Sequence, residues 1–228
     1  MSQVEKIGQG VTFDGDTHTY RENGVVVESV TQVLNDRGLV CYDHIAPRVL
    51  KRKAEIGTAA HTACWFFDDG DLDWTSVDES VVGYVRAWAR FRAETDFIPR
   101  MIETRGIAEI NSKRYGYTFD REGLLNNIPT LIEIKCTAGM EPSWGPQTAA
   151  YEYALRATDG CRRRRVAVWL KPDGKYSLNQ LSDVWDYFIF RIALTKPIGW
   201  QQAVESWLKC KGKAVALNGN ADYSNYID

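Results

Sequence analysis

The chain has 228 residues, 44% of them apolar and 25% charged, with a formal net charge of -2 and a pI near 6.0. That composition suits a soluble globular protein with a full core and excludes a disordered, fibrous or uniformly basic one. It still allows a nucleic-acid partner, because a local basic track suffices and clustered acids lower the total charge.

The opening MSQVEKIGQG lacks the apolar run of a signal peptide. No stretch approaches the roughly 20 apolar residues needed to cross a bilayer, so a cytoplasmic protein with no membrane partner is expected. Five widely spaced cysteines (Cys41, Cys64, Cys136, Cys161 and Cys210) form no CxxC pair and read as free thiols.

In chain order, VTFD, THTYRE and VVVE predict a small antiparallel hairpin over Thr12 to Val27, with Asn23-Gly24 as a turn. Ser29-Val30-Thr31-Gln32 has capping-box spacing and predicts a short helix through Leu34. Ile45 to Phe67 reads as helix with Pro47 in its first turn. Asp68 to Asp73 reads as a solvated turn, since the EF-hand spacing is absent. A second capping box, Ser76 to Glu79, opens a helix that buries Val77, Val81, Val85, Trp88 and Phe91 and leaves Arg86, Arg90 and Arg92 nearer solvent.

The sheet signal follows. Met101–Ile110, Tyr115–Leu124 and Leu131–Lys135 predict strands, the last two separated by a turn at Asn126 to Pro129. A helix over Trp144 to Ala157, a strand VAVWL, a turn at Asp173-Gly174 and the segment KYSL come next. Helices over Asp183 to Thr195 and Gln201 to Cys210 complete the pattern, with a polar tail after Gly212. This order predicts an α/β or α+β core with helical additions, taken as one domain over residues 1–228 with its centre at about 43–195.

The sharpest local pattern is Leu131-Ile132-Glu133-Ile134-Lys135. Alternate strand residues share a face, so Glu133 and Lys135 point together while Ile132 and Ile134 pack behind them. Buried charges are costly to desolvate, and a cation with a phosphate gives both a reason to be there. Asp120, on the preceding strand, can meet Glu133 on one Mg²⁺, which prefers a tight octahedron of oxygens. Gln147 and Tyr151 lie four apart on one helical face.

FDREGLL, PTLIEIKCTAG and QTAAYEYAL resemble the core of the PD-(D/E)XK nuclease superfamily, nearest its RecB-like and phage-type DNA exonucleases. The resemblance covers roughly residues 12 to 190. It implies a restriction-endonuclease-like core, a central mixed sheet flanked by helices. It also implies metal binding by Asp120, Glu133 and the carbonyl of Ile134, a catalytic Lys135, and a helical Gln147–Tyr151 element. Gly57 to His61 resembles the family's glycine-to-histidine helix, which places His61 beside the metal. An upstream acid is matched by Glu103, with Glu109 as competitor. Tyr117 and Cys136-Thr137 stand where many relatives have glycine and Thr-Gly.

The expectation is a Mg²⁺-dependent DNA exonuclease acting in recombination or repair, in a bacterial cytoplasm or in a host's if phage-encoded. Mn²⁺ can substitute, since it tolerates an imidazole ligand better. A structure-specific endonuclease and a noncatalytic DNA-binding scaffold are the rival readings. Linear duplex DNA with accessible ends is the expected substrate. A homo-oligomer and a single-strand-annealing partner are further implications of the resemblance. Lys51, Arg52 and Lys53, with the run Arg162, Arg163, Arg164 and Arg165, are the candidate phosphate contacts. Trp65 and Trp144 are candidates to guide an unpaired strand, with core packing the default for both.

Overall fold

A computed structural model describes residues 4–40 and 45–217. Cys41 and the tail from residue 218 lie outside the described residues. The N-terminal region is larger than the predicted hairpin. Strands β1 (Val4–Gly8), β2 (Val11–Asp14), β3 (Thr19–Glu22) and β4 (Val25–Val27) form a four-stranded antiparallel sheet in that order. Strand β1 reads Val-Glu-Lys-Ile-Gly, with no apolar–polar alternation to announce it. Asn23 and Gly24 both take positive φ, 49° and 83°, the type I′ geometry that closes a two-residue hairpin.

Helix α1 (Val30–Asp36) carries the predicted capping box: Ser29 accepts from the Gln32 amide at 3.2 Å, and Gln32 accepts from the Ser29 amide at 2.7 Å. Helix α2 (Pro47–Asp69) has proline in its first turn and stops at Gly70, which takes the left-handed conformation at φ 81°. Helix α3 (Glu79–Glu94) is capped differently from expectation. Asp78, not Ser76, accepts from the Ser80 amide, and residues 74–76 form a separate 3-10 turn.

The central sheet has strands β5 (Ile98–Ile110), β6 (Lys113–Leu125), β7 (Ile128–Lys135), β8 (Arg164–Leu170) and β9 (Tyr176–Gln180), in that order. All neighbours are antiparallel except β7 and β8. Helix α4 (Trp144–Asp159) supplies the crossover that a parallel pair requires. The β6–β7 turn is tighter than predicted: Asn126 and Asn127, at φ 52° and 61°, make it alone, and Ile128 and Pro129 already belong to β7. Helices α5 (Trp185–Thr195) and α6 (Trp200–Leu217) finish the described chain, α6 running through Gly212 where a tail was expected.

The sheet is mixed and covered on both faces. Val30, Val33, Tyr115, Phe119, Leu131, Tyr151, Ile189 and Phe190 pack on one side. Cys64, Trp88, Phe91, Ile132, Ile134, Val166 and Val168 pack on the other. The β7 alternation thus works as read from the sequence, with Ile132 and Ile134 backing Glu133. Among the described residues no helix is long and apolar enough to cross a membrane.

Candidate metal centre

The site sits where two strands part. The β6–β7 ladder has its last pair at Arg121 and Ile132, whereas β5–β6 pairing resumes at Phe119 and β7–β8 pairing continues to Lys135. Asp120 stands at the fork. Its Oδ2 accepts from the Ile134 amide at 2.6 Å, so a side chain replaces the next rung of the ladder. Its Oδ1 lies 3.1 Å from His61 Nδ1 on α2.

Glu103 reaches the same point from β5, on a residue held at φ 45°. Ligand-type atoms of His61, Glu103 and Asp120 all lie within 4.8 Å of one another. Glu109 stands apart and pairs with Arg114 at 3.3 Å. Glu133 lines the same cavity, adjacent to but outside that trio, whereas the sequence reading groups it with Asp120 and His61. Its Oε1 accepts from Lys135 Nζ at 3.2 Å and from Gln147 Nε2 at 3.0 Å. Its Oε2 is buried with no hydrogen-bond partner. Lys135 also donates to Gln147 Oε1 at 2.7 Å, and Gln147 Nε2 donates to the Tyr151 hydroxyl at 3.0 Å.

Crowding three carboxylates changes their proton affinities. Burial and the Asp120 charge push Glu133 up to about 7, against the pull of Lys135 and His61. Burial and Asp120 likewise raise Glu103 to about 6. Burial alone would raise Asp120, but His61, Arg121 and Lys135 outweigh it and hold the carboxyl below its usual value. Burial lowers the proton affinity of His61, yet Asp120, Glu103 and Glu133 together lift it to about 9. His61 therefore stands as an imidazolium donating to Asp120 at neutral pH. Mutually repelling acids that borrow a proton are the electrostatic complement of a cation.

Behind the trio lies a buried pair that the sequence did not reveal. The side chains of Arg121 and Asp68 are both 0% exposed and meet at 2.7 Å. Arg121 Nη1 also donates to the Asp120 carbonyl at 2.7 Å and to Glu103 at 3.3 Å. Asp68 accepts further bonds from Trp88, at 3.1 Å, and from Arg92. So Asp68 is the last buried turn of α2 and no part of a solvated loop, and Arg92 faces it rather than solvent. Arg121 holds one trio member by its side chain and another by its backbone.

The expected basic tracks fare unequally. Arg163 is 7% exposed, bonded to Glu122 at 2.9 Å and to Asp159 at 2.5 Å. Arg165 is 4% exposed and paired with Asp186 at 3.1 Å. Both are internal cross-links and not phosphate contacts, because a paired, buried guanidinium has little to offer a ligand. Arg164 is half-buried and donates to the Leu125 carbonyl, leaving only Arg162 exposed. Lys51, Arg52 and Lys53 are exposed on α2, two turns before His61. Trp144 is buried at 1%, whereas Trp65 is 38% exposed and opens onto the site.

His61, Glu103, Asp120, Glu133, Gln147 and Tyr151 line one cavity of about 770 Å³. No known family model matches the chain, and no curated protein does. Among solved structures, the chain is similar to a candidate exonuclease from Eubacterium rectale, with 7% identity over 67% of this chain and 68% of that one and a TM-score of 0.47. It is also similar to a protein designated SSO0001, with 11% identity over 84% of this chain and 85% of that one and a TM-score of 0.32. At these scores neither likeness bears on the chemistry of the site.

Proposed function

We propose that this protein is a divalent-metal-dependent deoxyribonuclease that hydrolyses phosphodiester bonds from the ends of linear duplex DNA. One observation carries the reading: a histidine–glutamate–aspartate trio and a buried carboxylate with an unsatisfied oxygen line a single cavity, and Lys135 is hydrogen-bonded to two of its lining residues, Glu133 and Gln147. A cation fits this donor set, since Glu133 Oε2 has no other partner and the acids otherwise repel. Oxygen donors suit Mg²⁺, and the imidazole makes Mn²⁺ an acceptable substitute.

His61, Glu103 and Asp120 would hold the ion, with Glu133 beside them. The Ile134 carbonyl is a further donor. Its amide points at Asp120, and a strand residue presents its N–H and C=O to the same edge. A bound ion supplies Lewis acidity toward a phosphate oxygen and lowers the pKa of a water. Lys135 orients that water and offsets the charge developing on the phosphate as water oxygen bonds to phosphorus and the sugar oxygen leaves. Gln147 fixes the Lys135 ammonium, and Tyr151 fixes Gln147. Arg121 keeps Glu103 and Asp120 in place before substrate arrives.

Motif resemblance supports the end-directed activity, the role in recombination or repair, the homo-oligomer and the annealing partner. The test is a time course on end-labelled linear duplex with a covalently closed circle as control, in Mg²⁺, Mn²⁺ or chelator. The linear DNA should shorten only with metal, and the circle should survive. Lys135→Ala should lower turnover by about 10²- to 10³-fold while retaining Mn²⁺, and Asp120→Ala should lose the metal. Full activity in a folded Lys135→Ala protein would refute the mechanism, and a nicked circle would make the enzyme an endonuclease.

A further inference from the structure

Resting on the nuclease reading, we infer that the cavity seats an unpaired DNA strand, with Trp65 stacking on a base and Arg105 binding the phosphate next to the one being cut.

The walls of the cavity come from separate parts of the chain. Trp65 lies one helical turn past His61 on α2, so both project from the same face. Its ring packs on Phe66 with centroids 4.8 Å apart, yet 38% of the residue stays exposed in the cavity wall. A large indole left open beside charged groups has no packing reason to be there, and a base offers it a π-face.

Arg105 lies two residues past Glu103 on β5, and both line the cavity. Its guanidinium sits 4.9 Å over the Phe13 ring, which fixes its plane. One Nη donates to Glu5 at 3.3 Å, and Glu5 is itself more than half exposed. The buried Nε has no partner at all. Arg105 therefore keeps donors to spare, and β5 carries its charge into the cavity wall, where Glu5 and Phe13 of the N-terminal sheet hold the guanidinium. His18 and Tyr20 line the same side, the Tyr20 hydroxyl being held by Thr118.

The cavity, of about 770 Å³, has room for about one or two nucleotides. A base that stacks on Trp65 gives up its place in the duplex stack, so the strand that carries it is unpaired there.

The test is binding of a fluorescent ten-residue oligothymidylate, in Ca²⁺, by anisotropy across a salt series, alongside Mn²⁺ titration of the DNA-free protein. Trp65→Ala should weaken binding about tenfold, and Trp65→Phe should restore most of it. Arg105→Gln should weaken binding and flatten the slope of log affinity against log salt by about one. Mn²⁺ affinity should be unchanged in the two Trp65 variants and no weaker in Arg105→Gln, which removes a positive charge that acts on Glu103. Parental affinity and slope in Trp65→Ala and Arg105→Gln would overturn the strand seat, even in an enzyme that degrades duplex ends. Conversely, no metal-dependent hydrolysis by the parent, with the variant effects intact, would remove the nuclease reading and support the strand seat.

Discussion

His61 and a divalent cation compete for Asp120. In the metal-free protein the imidazole, lifted to about 9, donates from Nδ1 to Asp120 Oδ1 at 3.1 Å. Ligation needs a neutral ring, so binding must displace that proton. Glu133, at about 7, surrenders part of another. Both groups are raised above their ordinary values, so protons oppose the metal below about pH 9 at the histidine and below about 7 at the glutamate. Metal affinity should thus climb with pH through neutrality, by about tenfold per unit for each proton released. Mn²⁺ calorimetry near pH 7.5, in two buffers of different ionisation enthalpy, should give heats differing by at least about one proton's worth. Equal heats would show that His61 is already neutral. At this scale the sequence was legible where spacing alone fixes direction: Glu133 and Lys135 share a face because strands alternate. It was opaque where partners are distant, as for Asp68 and Arg121, 53 positions apart and joined only by the folding of α2 onto β6.

Among the elements, close approaches of backbone matter more than propensity. Gly83 on α3 has Pro172 against it, and a methyl group there would overlap the Pro172 carbonyl oxygen. Neither backbone can swing aside as a flexible side chain would. Gly57, in the exposed half of α2, is the opposite case, since an added Cβ meets nothing within 4 Å. Urea titrations should therefore separate the two alanine variants. Gly83→Ala should lose about 1–3 kcal/mol through overpacking, and Gly57→Ala should gain about 0.5–1 kcal/mol through helix propensity. A neutral Gly83→Ala would mean that α3 does not press on the β8–β9 turn. The same contrast explains which elements were readable. Local chemistry announced the Ser29 box and the positive-φ asparagine turns. The false box at Ser76 lost to Asp78, two residues on, because a carboxylate serves the exposed amides as well and nothing local ranks the two caps. β1 pairs only with β2, carries little burial and lacks an apolar alternation, so it gave no strand signal.

For the whole molecule the governing fact is where the charge lies. The chain is nearly neutral, but Glu103, Asp120 and Glu133 crowd the cavity, and Arg163 and Arg165 are spent on internal partners. A sequence can count arginines; it cannot say that alternate members of a run, one just before β8 and one on it, will turn inward to meet Glu122 and Asp186. Nor can it say that the N-terminal sheet docks at Gly116, whose amide donates to the Glu28 carbonyl at 2.9 Å and whose missing side chain leaves room for the Tyr20 ring. That docking closes one wall of the cavity, while the βαβ crossover behind it follows from the strand–helix–strand order. The resulting field makes a prediction about the free protein. Without a cation, the cavity acids repel a phosphate, and the exposed Lys51, Arg52 and Lys53 on α2 are too far along the helix to offset them. Asp120→Asn removes one such charge at small cost in shape. In chelator at low salt it should bind the oligothymidylate roughly fivefold more tightly than the parent, since one charge a few ångströms away at intermediate dielectric is worth about 1 kcal/mol. In Ca²⁺ the order should reverse, because the parent gains a cation that the variant holds poorly. If the variant binds no better in chelator, the carboxylates do not face the strand, and the cavity is not the entrance to the metal centre.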